Sequence, residues 1–268
     1  INYQPFWSFY RGAALLVSGQ RGAEILGSKV NVGTPNSGTY LLTEKVLELN
    51  GINPDRSNFT QKSDTEAIEA LAKGQLQSMC IVDTYESPNV QKLLAIDGLQ
   101  LMNFSRAAAY DRLVPSIQKV SIPEGSLSLA KDRPQQPMTL IAETTEIMID
   151  ERLHPAIQTL FLMAAKSING KQSFFSREGE FPAFKDTNQH RSQEAEVFYE
   201  KGTPWLFQFM PFWLAEFIRR LFLMLLPFVA IAYPFVRSMP NYHKDRVRSR
   251  INRVYGTLKF FEQSLVTS

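Results

Sequence analysis

The chain has 268 residues, 44% of them hydrophobic and 21% charged, and a formal net charge of +3. This length is ample for one large domain or for two lobes, and the lack of a basic stripe over most of the chain argues against a nucleic-acid-binding protein. The single cysteine, Cys80, excludes an internal disulfide and a zinc site with paired cysteines. Because Cys80 stands in the apolar run QSMCIVD, we expect a buried structural thiol.

Three β-prone segments alternate with two amphipathic segments between residues 28 and 83. KVNV, SNFTQ and QSMCIV predict strands, and SGTYLLTEKVLEL and SDTEAIEALAKG predict helices. Ser63 and Glu66 have the spacing of a capping box at the start of the second helix, and Gly74 suits its C-terminal end. A β-α-β-α-β order is the unit of an open parallel sheet, so the sequence predicts an α/β fold.

The elements that follow also alternate between the two types. SPNVQKLLAI, SRAAAYDRL and HPAIQTLFLMAAKSI predict helices, the last of which starts near His154. LQLMNF and MTLIAETTEIMI predict strands, and SFFSREGEFPAFKD predicts an irregular loop.

The C-terminal region begins with a long apolar segment. Leu221–Val236 carries no charge over 16 residues, which corresponds to roughly 24 Å of helix against a hydrocarbon core of roughly 30 Å. Flanking arginines can reach the lipid headgroups, and the aromatic residues upstream suit a membrane interface. We therefore expect an interfacial and transmembrane anchor over residues 204–236. The alternative is a buried hairpin broken at Pro227 and Pro234.

The tail, residues 237–268, is basic. It carries seven lysines and arginines against Asp245 and Glu262. Such an excess of cations beside an apolar segment predicts a cytoplasmic tail, with the bulk of the protein on the other side of the membrane.

The loop VGTPNSGTY, Val32–Tyr40, is the main candidate for ligand binding. It follows a predicted strand and opens a predicted helix, whose unpaired N–H groups and positive dipole end attract a carboxylate or a phosphate. Its glycines permit close approach of the backbone, and its polar side chains offer hydrogen-bond donors. The candidate residues are Gly33, Thr34, Asn36, Ser37, Gly38 and Thr39.

Two other interpretations of this loop are open. Gly33 and Gly38 have the spacing of a nucleotide P-loop, but Thr39 stands where that motif requires lysine, so a nucleotide site is not predicted. The simpler alternative is that Ser37 only caps the helix.

A second loop, DTYESPNV at Asp83–Val90, also leads from a predicted strand into a helix. In a doubly wound sheet the first and third strands of such a unit are commonly neighbours, and ligands bind in the crevice at their carboxyl ends. We therefore expect Thr84, Tyr85 and Ser87 to face the first loop across one cleft. Neither loop contains lysine or arginine, which favours a small carboxylate over a polyphosphate. Three arginines elsewhere either supply a positive charge or simply lie on the surface: Arg11, Arg106 and Arg112.

Catalysis finds little support in the sequence. The histidines His154, His190 and His243 stand in unrelated contexts, and neither G-x-S-x-G nor H-E-x-x-H occurs. Glu178 and Glu180 are expected to point apart in their loop. We therefore predict a protein that is not an enzyme and has no cofactor and no metal site.

Several segments together resemble the TAXI family of TRAP-transporter solute receptors. They are GSKVNVGTPNSGTY, EALAKGQLQSMCIVDTYESPNVQKLL, GEFPAF and the C-terminal run from PFWLAEF to YGTL. They are most similar to the membrane-tethered members of that family, and the resemblance runs from about Gln4 to Glu262.

The resemblance carries over to individual loop residues. The family's G-x-x-x-SGT loop corresponds to Gly33 and to Ser37–Thr39, and its loop after the G-x-(I/L)-D-A strand corresponds to Asp83–Ser87. The chain departs from the family at Gln77 and Ser78, where Asp-Ala is usual.

The implied fold is a periplasmic-binding-protein fold of type II. It has two α/β lobes of open, mostly parallel sheets joined by hinge strands, followed here by the C-terminal hydrophobic anchor helix. Lobe one would comprise residues 1–27 and 137–203, and lobe two residues 28–136. Because QPFWSFYRG resembles the strand that ends the first half of lobe one, the resemblance also implies an N-terminally truncated chain.

The implied function is extracytoplasmic capture of a small organic acid or amino acid for a TRAP-type secondary transporter. The partners would be that ligand, an integral-membrane transporter subunit and the membrane through the C-terminal helix, and no nucleic acid. The implied location is the inner membrane, with the binding domain on the periplasmic side. The alternative is a sensory or scaffolding receptor that uses the same fold without transport.

Overall fold

A computed structural model describes residues 1–12, 29–52, 58–150, 152–185, 191–203 and 209–266. The chain forms two compact units, Ile1–Gly202 and Thr203–Ser268. The predicted boundary between the lobes at residues 27 and 28, and the start of the predicted anchor at residues 204–208, lie outside the described residues.

The first unit is α/β, as predicted from the alternation of segments. Its described strands are β1 (Asn2–Arg11), β2 (Val30–Asn31), β3 (Phe59–Thr60), β4 (Ser78–Val82), β5 (Leu99–Leu101), β6 (Ile117–Ile122) and β7 (Met138–Thr145). Its described helices are α1 (Gly38–Leu49), α2 (Asp64–Ala72), α3 (Pro88–Ala95), α4 (Ala107–Leu113), α5 (Pro155–Asn169) and α6 (Gln193–Lys201).

The seven described strands form one mixed sheet in the order β3-β2-β4-β1-β7-β6, with β5 also paired to β1. β2 is parallel to both β3 and β4, so the predicted β-α-β-α-β unit is present and its first and third strands are neighbours. β1 is antiparallel to β4, β5 and β7, and β6 is antiparallel to β7. The parallel arrangement therefore holds for the part of the sheet that carries the two candidate loops.

β1 joins the two halves of the sheet. Its first residues, from Asn2 to Pro5, pair with β7, and its later residues pair with β4 and β5. Phe6, Trp7 and Phe9 on this strand are at most 2% exposed and lie in the hydrophobic core. Burial of each such side chain stabilises the fold by about 1.5–3 kcal/mol. β1 therefore contributes a large part of the hydrophobic core.

Local sequence chemistry sets the ends of several helices as predicted. Ser63 and Glu66 form the capping box of α2, in which the Ser63 N–H donates to Glu66 Oε2 at 3.3 Å. Gly74, with φ of +72°, follows the last turn of that helix. His154 caps α5, because its Nδ1 accepts a hydrogen bond from the Ala156 N–H at 3.1 Å.

Cys80 is the buried structural thiol that its apolar context predicts. It lies on β4, is fully buried and has its sulfur 3.8 Å from Ser8 Oγ. Burial raises the pKa of the Cys80 thiol to about 12, so the reactive thiolate is suppressed.

The second unit contains α7, a single helix over Phe212–Val266. It continues through Pro227 and Pro234, so the alternative of a hairpin broken at these prolines is wrong. The transmembrane anchor predicted over residues 204–236 is not confirmed: in the described part of the chain, no helix is both long enough and apolar enough to cross a membrane.

Candidate functional site

Three helices begin where three neighbouring parallel strands end. α1 follows β2, α2 follows β3 and α3 follows β4. Since β2 lies between β3 and β4 and all three run in the same direction, the N-termini of the three helices meet at one edge of the sheet. This is the edge at which ligands bind in open α/β sheets.

Gly33, Pro35 and Asn36 determine the backbone shape of the first loop. The Ser37 N–H donates to the Thr34 carbonyl at 3.0 Å, and Asn36 between them has φ of +62°. Proline at the second position of a turn and asparagine with positive φ at the third are the chemistry of a type II turn. Gly33 has φ of +82°, and a Cβ there would lie only 2.9 Å from Ser37 Oγ, so this position requires glycine.

Two polar side chains of the first loop form hydrogen bonds with the backbone of the protein. Ser37 Oγ accepts a hydrogen bond from the Tyr40 N–H at 3.2 Å, so Ser37 does cap α1. Thr39 is buried, and its Oγ1 accepts from the Val82 N–H at 3.0 Å. Thr34, Asn36 and Gly38 are exposed. Thr39 therefore connects the first loop to the strand that leads into the second.

The second loop is organised by Asp83, which the sequence patterns did not single out as a site residue. Asp83 Oδ1 accepts a hydrogen bond from the Thr84 N–H at 2.8 Å, and Oδ2 accepts one from the Ser87 hydroxyl. Ser87 Oγ in turn accepts from the Asn89 N–H at 3.3 Å and caps α3. Ser87 is thus buried in the framework of the loop, and Thr84 is half-buried beside it.

Tyr85 forms an aromatic wall together with a residue that sequence reasoning missed. Its ring stacks on Phe174, with centroids 3.9 Å apart, and the Phe174 N–H donates to Glu86 Oε1 at 3.1 Å. Trp7 lies next to Tyr85 at 6.3 Å between centroids, and its indole N–H donates to the Asp83 carbonyl. The predicted irregular loop SFFSREGEFPAFKD thus returns to the second loop. The adjacent phenylalanines Phe174 and Phe175 are the sequence feature from which a buried contact of that loop could have been predicted.

The charges around the loops are mainly negative. Burial raises the pKa of the Asp64 carboxyl at the start of α2, and the nearby negative charge of Asp83 raises it further. Arg11 donates from Nε and Nη2 to the Leu71 carbonyl and from Nη2 to the Ala72 carbonyl. It therefore serves the C-terminal end of α2, opposite the site.

The other polar residues considered from the sequence lie elsewhere. Arg106 and Arg112 belong to the start and the last turn of α4. Glu180 accepts hydrogen bonds from Tyr3 and Lys185, whereas Glu178 is exposed. His190 lies outside the described residues. Across the described ranges, no group of three or more His, Cys, Asp or Glu side chains could hold a metal ion.

Comparison with known proteins gives a family for the chain. No curated protein matches it. The model of the NMT1-like family matches residues 18–161, which is more than half of the chain and includes both candidate loops. The chain therefore belongs to the NMT1-like family, a family of periplasmic solute-binding type.

Proposed function

We propose that the protein is an extracytoplasmic solute-binding protein of the TAXI type, which captures a small organic acid or amino acid for a TRAP-type secondary transporter. The observation that carries the proposal is the placement of the N-termini of α1 and α3 at the ends of two hydrogen-bonded parallel strands. In a family of solute-binding type, this is the arrangement that suits an anionic group.

The N-terminus of α1 offers the clearest place for a carboxylate. The first N–H groups of a helix lack partners within the helix, and Ser37 satisfies only that of Tyr40. Within the described part of the chain, the N–H groups of Gly38 and Thr39 have no acceptor. A Cβ at Gly38 would meet no atom within 4 Å, so a ligand can approach the backbone there. The ligand is bound without chemical change, in keeping with a transport receptor.

Calorimetry with a panel of amino acids, keto acids and dicarboxylates tests this proposal. Gly38→Val should weaken binding of the identified solute by roughly 10-fold or more, because the added side chain fills the approach to the helix end and 1.4 kcal/mol corresponds to a factor of ten. Ala108→Val, an exposed position on α4, is the control and should bind as the parent does. The site is wrong if Gly38→Val binds the solute normally. Solute uptake that requires both this protein and a permease would distinguish transport from a sensory role.

A location at the inner membrane, with the first unit in the periplasm, is part of the proposal. It is supported by the large apolar side chains between residues 221 and 236, which are 41–69% exposed wherever they are described. A contiguous exposed apolar surface of this kind needs a partner, and lipid is the partner proposed here. Cell fractionation tests it: the protein should sediment with membranes and resist a high-salt wash. Recovery in the soluble periplasmic fraction would contradict membrane association.

A further inference from the structure

A cavity of about 720 Å³ lies beside α3 and β5. Its walls come from the second half of α3, from β5, from the start of β7 and from the connection between β6 and β7. None of the nine residues predicted to bind the solute lines it. The volume falls within the range of roughly 300–1,000 Å³ that is typical of small-molecule sites.

The cavity has a lining of both apolar and polar side chains and a positive edge. Leu94, Leu101 and Met138 are apolar lining residues that remain partly exposed, and Lys131 and Arg133 are the charged ones. Lys131 Nζ and Arg133 Nη2 lie 3.3 Å and 3.8 Å from the same oxygen, Oδ1 of Asp97. One carboxylate therefore serves two cations, and this group keeps a net charge of +1.

Asn103 adds a hydrogen-bond donor whose orientation is fixed. Its Oδ1 accepts a hydrogen bond from the Thr139 N–H at 2.9 Å, whereas the single proton of the Thr139 hydroxyl is donated to the Phe104 carbonyl at 2.7 Å. An N–H can donate only to the amide oxygen, so the other end of the Asn103 amide must be the NH₂ group. In the described part of the chain this NH₂ group has no acceptor, although the residue is half-buried and lines the cavity. It is therefore free to donate to an oxygen of a ligand in the cavity.

We propose that this cavity is a second ligand site, which takes a small monocarboxylate with an apolar body. The carboxylate accepts hydrogen bonds from Arg133, Lys131 and the Asn103 amide, and the apolar body lies against Leu94, Leu101 and Met138. A single negative charge matches the net +1 of the edge, which favours a monocarboxylate over a polyphosphate. The site is separate from that at the N-terminus of α1.

Calorimetry on the full chain with octanoate tests this site, with octan-1-ol as the uncharged comparison. Octanoate should bind at least 10-fold more tightly than octan-1-ol. Asn103→Asp keeps the acceptor for Thr139 but replaces the donor with a negative oxygen, so octanoate should bind at least 10-fold more weakly. Asp97→Asn releases both cations and should tighten octanoate binding several-fold, an effect that loss of structure cannot produce.

Three further variants complete the test. Lys119→Gln changes the net charge by the same amount as Asn103→Asp but lies outside the cavity, and it should bind octanoate as the parent does. Arg133→Gln replaces Asn103→Asp if circular dichroism shows that the latter is unfolded, and it should also weaken binding at least 10-fold. Gly38→Val should leave octanoate binding unchanged even though it impairs the α1 site. The proposal is overturned if octanoate does not bind, if Asp97→Asn weakens binding, or if Gly38→Val abolishes it.

Discussion

Thr39 Oγ1 accepts a hydrogen bond from the Val82 N–H at 3.0 Å, although the two residues are 43 positions apart. This bond connects the first turn of α1 to the last residue of β4. Because the second loop starts at Asp83, the bond also fixes the position of that loop relative to the first. The side chain of Thr39 is 7% exposed, so water cannot easily replace it as an acceptor.

Thr39→Val should therefore lower the free energy of unfolding by about 1–3 kcal/mol, because it keeps the shape of the side chain but leaves the Val82 N–H without a partner. Thr39→Ser retains the hydroxyl and should recover most of the loss. Urea unfolding followed by circular dichroism measures both effects. Equal stability of Thr39→Val and the parent would show that the bond does not support the fold.

The two glycines of the first loop should respond differently to alanine. Gly33→Ala should destabilise the protein by about 1–3 kcal/mol, since residue 33 has φ of +82° and its Cβ would lie 2.9 Å from Ser37 Oγ. Gly38→Ala adds a Cβ to open space at the start of α1, and it should be neutral or stabilise by up to about 1 kcal/mol. Thermal or urea unfolding of both variants is the measurement. Similar losses at both positions would contradict the distinct roles assigned to them.

Elements whose ends depend on nearby residues could be predicted from the sequence. The start and end of α2 follow from Ser63, Glu66 and Gly74, which act within one or two turns of the helix. The turn in the first loop follows in the same way from Pro35 and Asn36. These features require no knowledge of the rest of the fold, which is why the sequence predicted the parallel part of the sheet.

Features that depend on distant partners were missed. β6 was not predicted, since its buried residues Ile117, Val120 and Ile122 do not alternate regularly and its pairing with β7 defines it. In the candidate site, Glu86 and Phe174 are 88 positions apart, and no local pattern brings them together. The cap at Ser37, by contrast, is a local contact with Tyr40 and was among the alternatives drawn from the sequence. Asp83 was missed as an acceptor although its partners Thr84 and Ser87 are also close in sequence.

The stacked pair of Tyr85 and Phe174 should be energetically coupled. A double-mutant cycle with Tyr85→Leu and Phe174→Leu should give a coupling energy of about 0.5–1.5 kcal/mol, as is typical of aromatic pairs. Urea unfolding of the parent, both single variants and the double variant provides the cycle. A parallel cycle on Phe198 and Tyr199, whose centroids lie 6.3 Å apart, is the control and should give a smaller value. Additive effects at Tyr85 and Phe174 would mean that the stacking contributes no free energy of its own.

Glu180 connects the GEFPAF segment to β1 through charged hydrogen bonds. Its Oε1 accepts from the Tyr3 hydroxyl at 2.8 Å and from Lys185 Nζ at 3.1 Å, and its Oε2 accepts from the Arg177 N–H at 3.0 Å. Burial alone raises the pKa of Glu180, but these hydrogen bonds and the charge of Lys185 outweigh it and hold that pKa below its ordinary value of 4.5.

A pKa that is lower in the folded state than in the unfolded chain means that ionised Glu180 stabilises the fold. This contribution is present above pH 4.5 and is lost as the pH falls through the pKa of the folded state. Glu180→Gln should therefore lower the free energy of unfolding at pH 7, and its deficit relative to the parent should shrink as the pH approaches 3. Urea unfolding at a series of pH values measures the deficit, and Glu178→Gln, at an exposed neighbouring position, should show no such trend. A deficit that stays constant or grows on acidification would mean that Glu180 acts through packing and not through its charge.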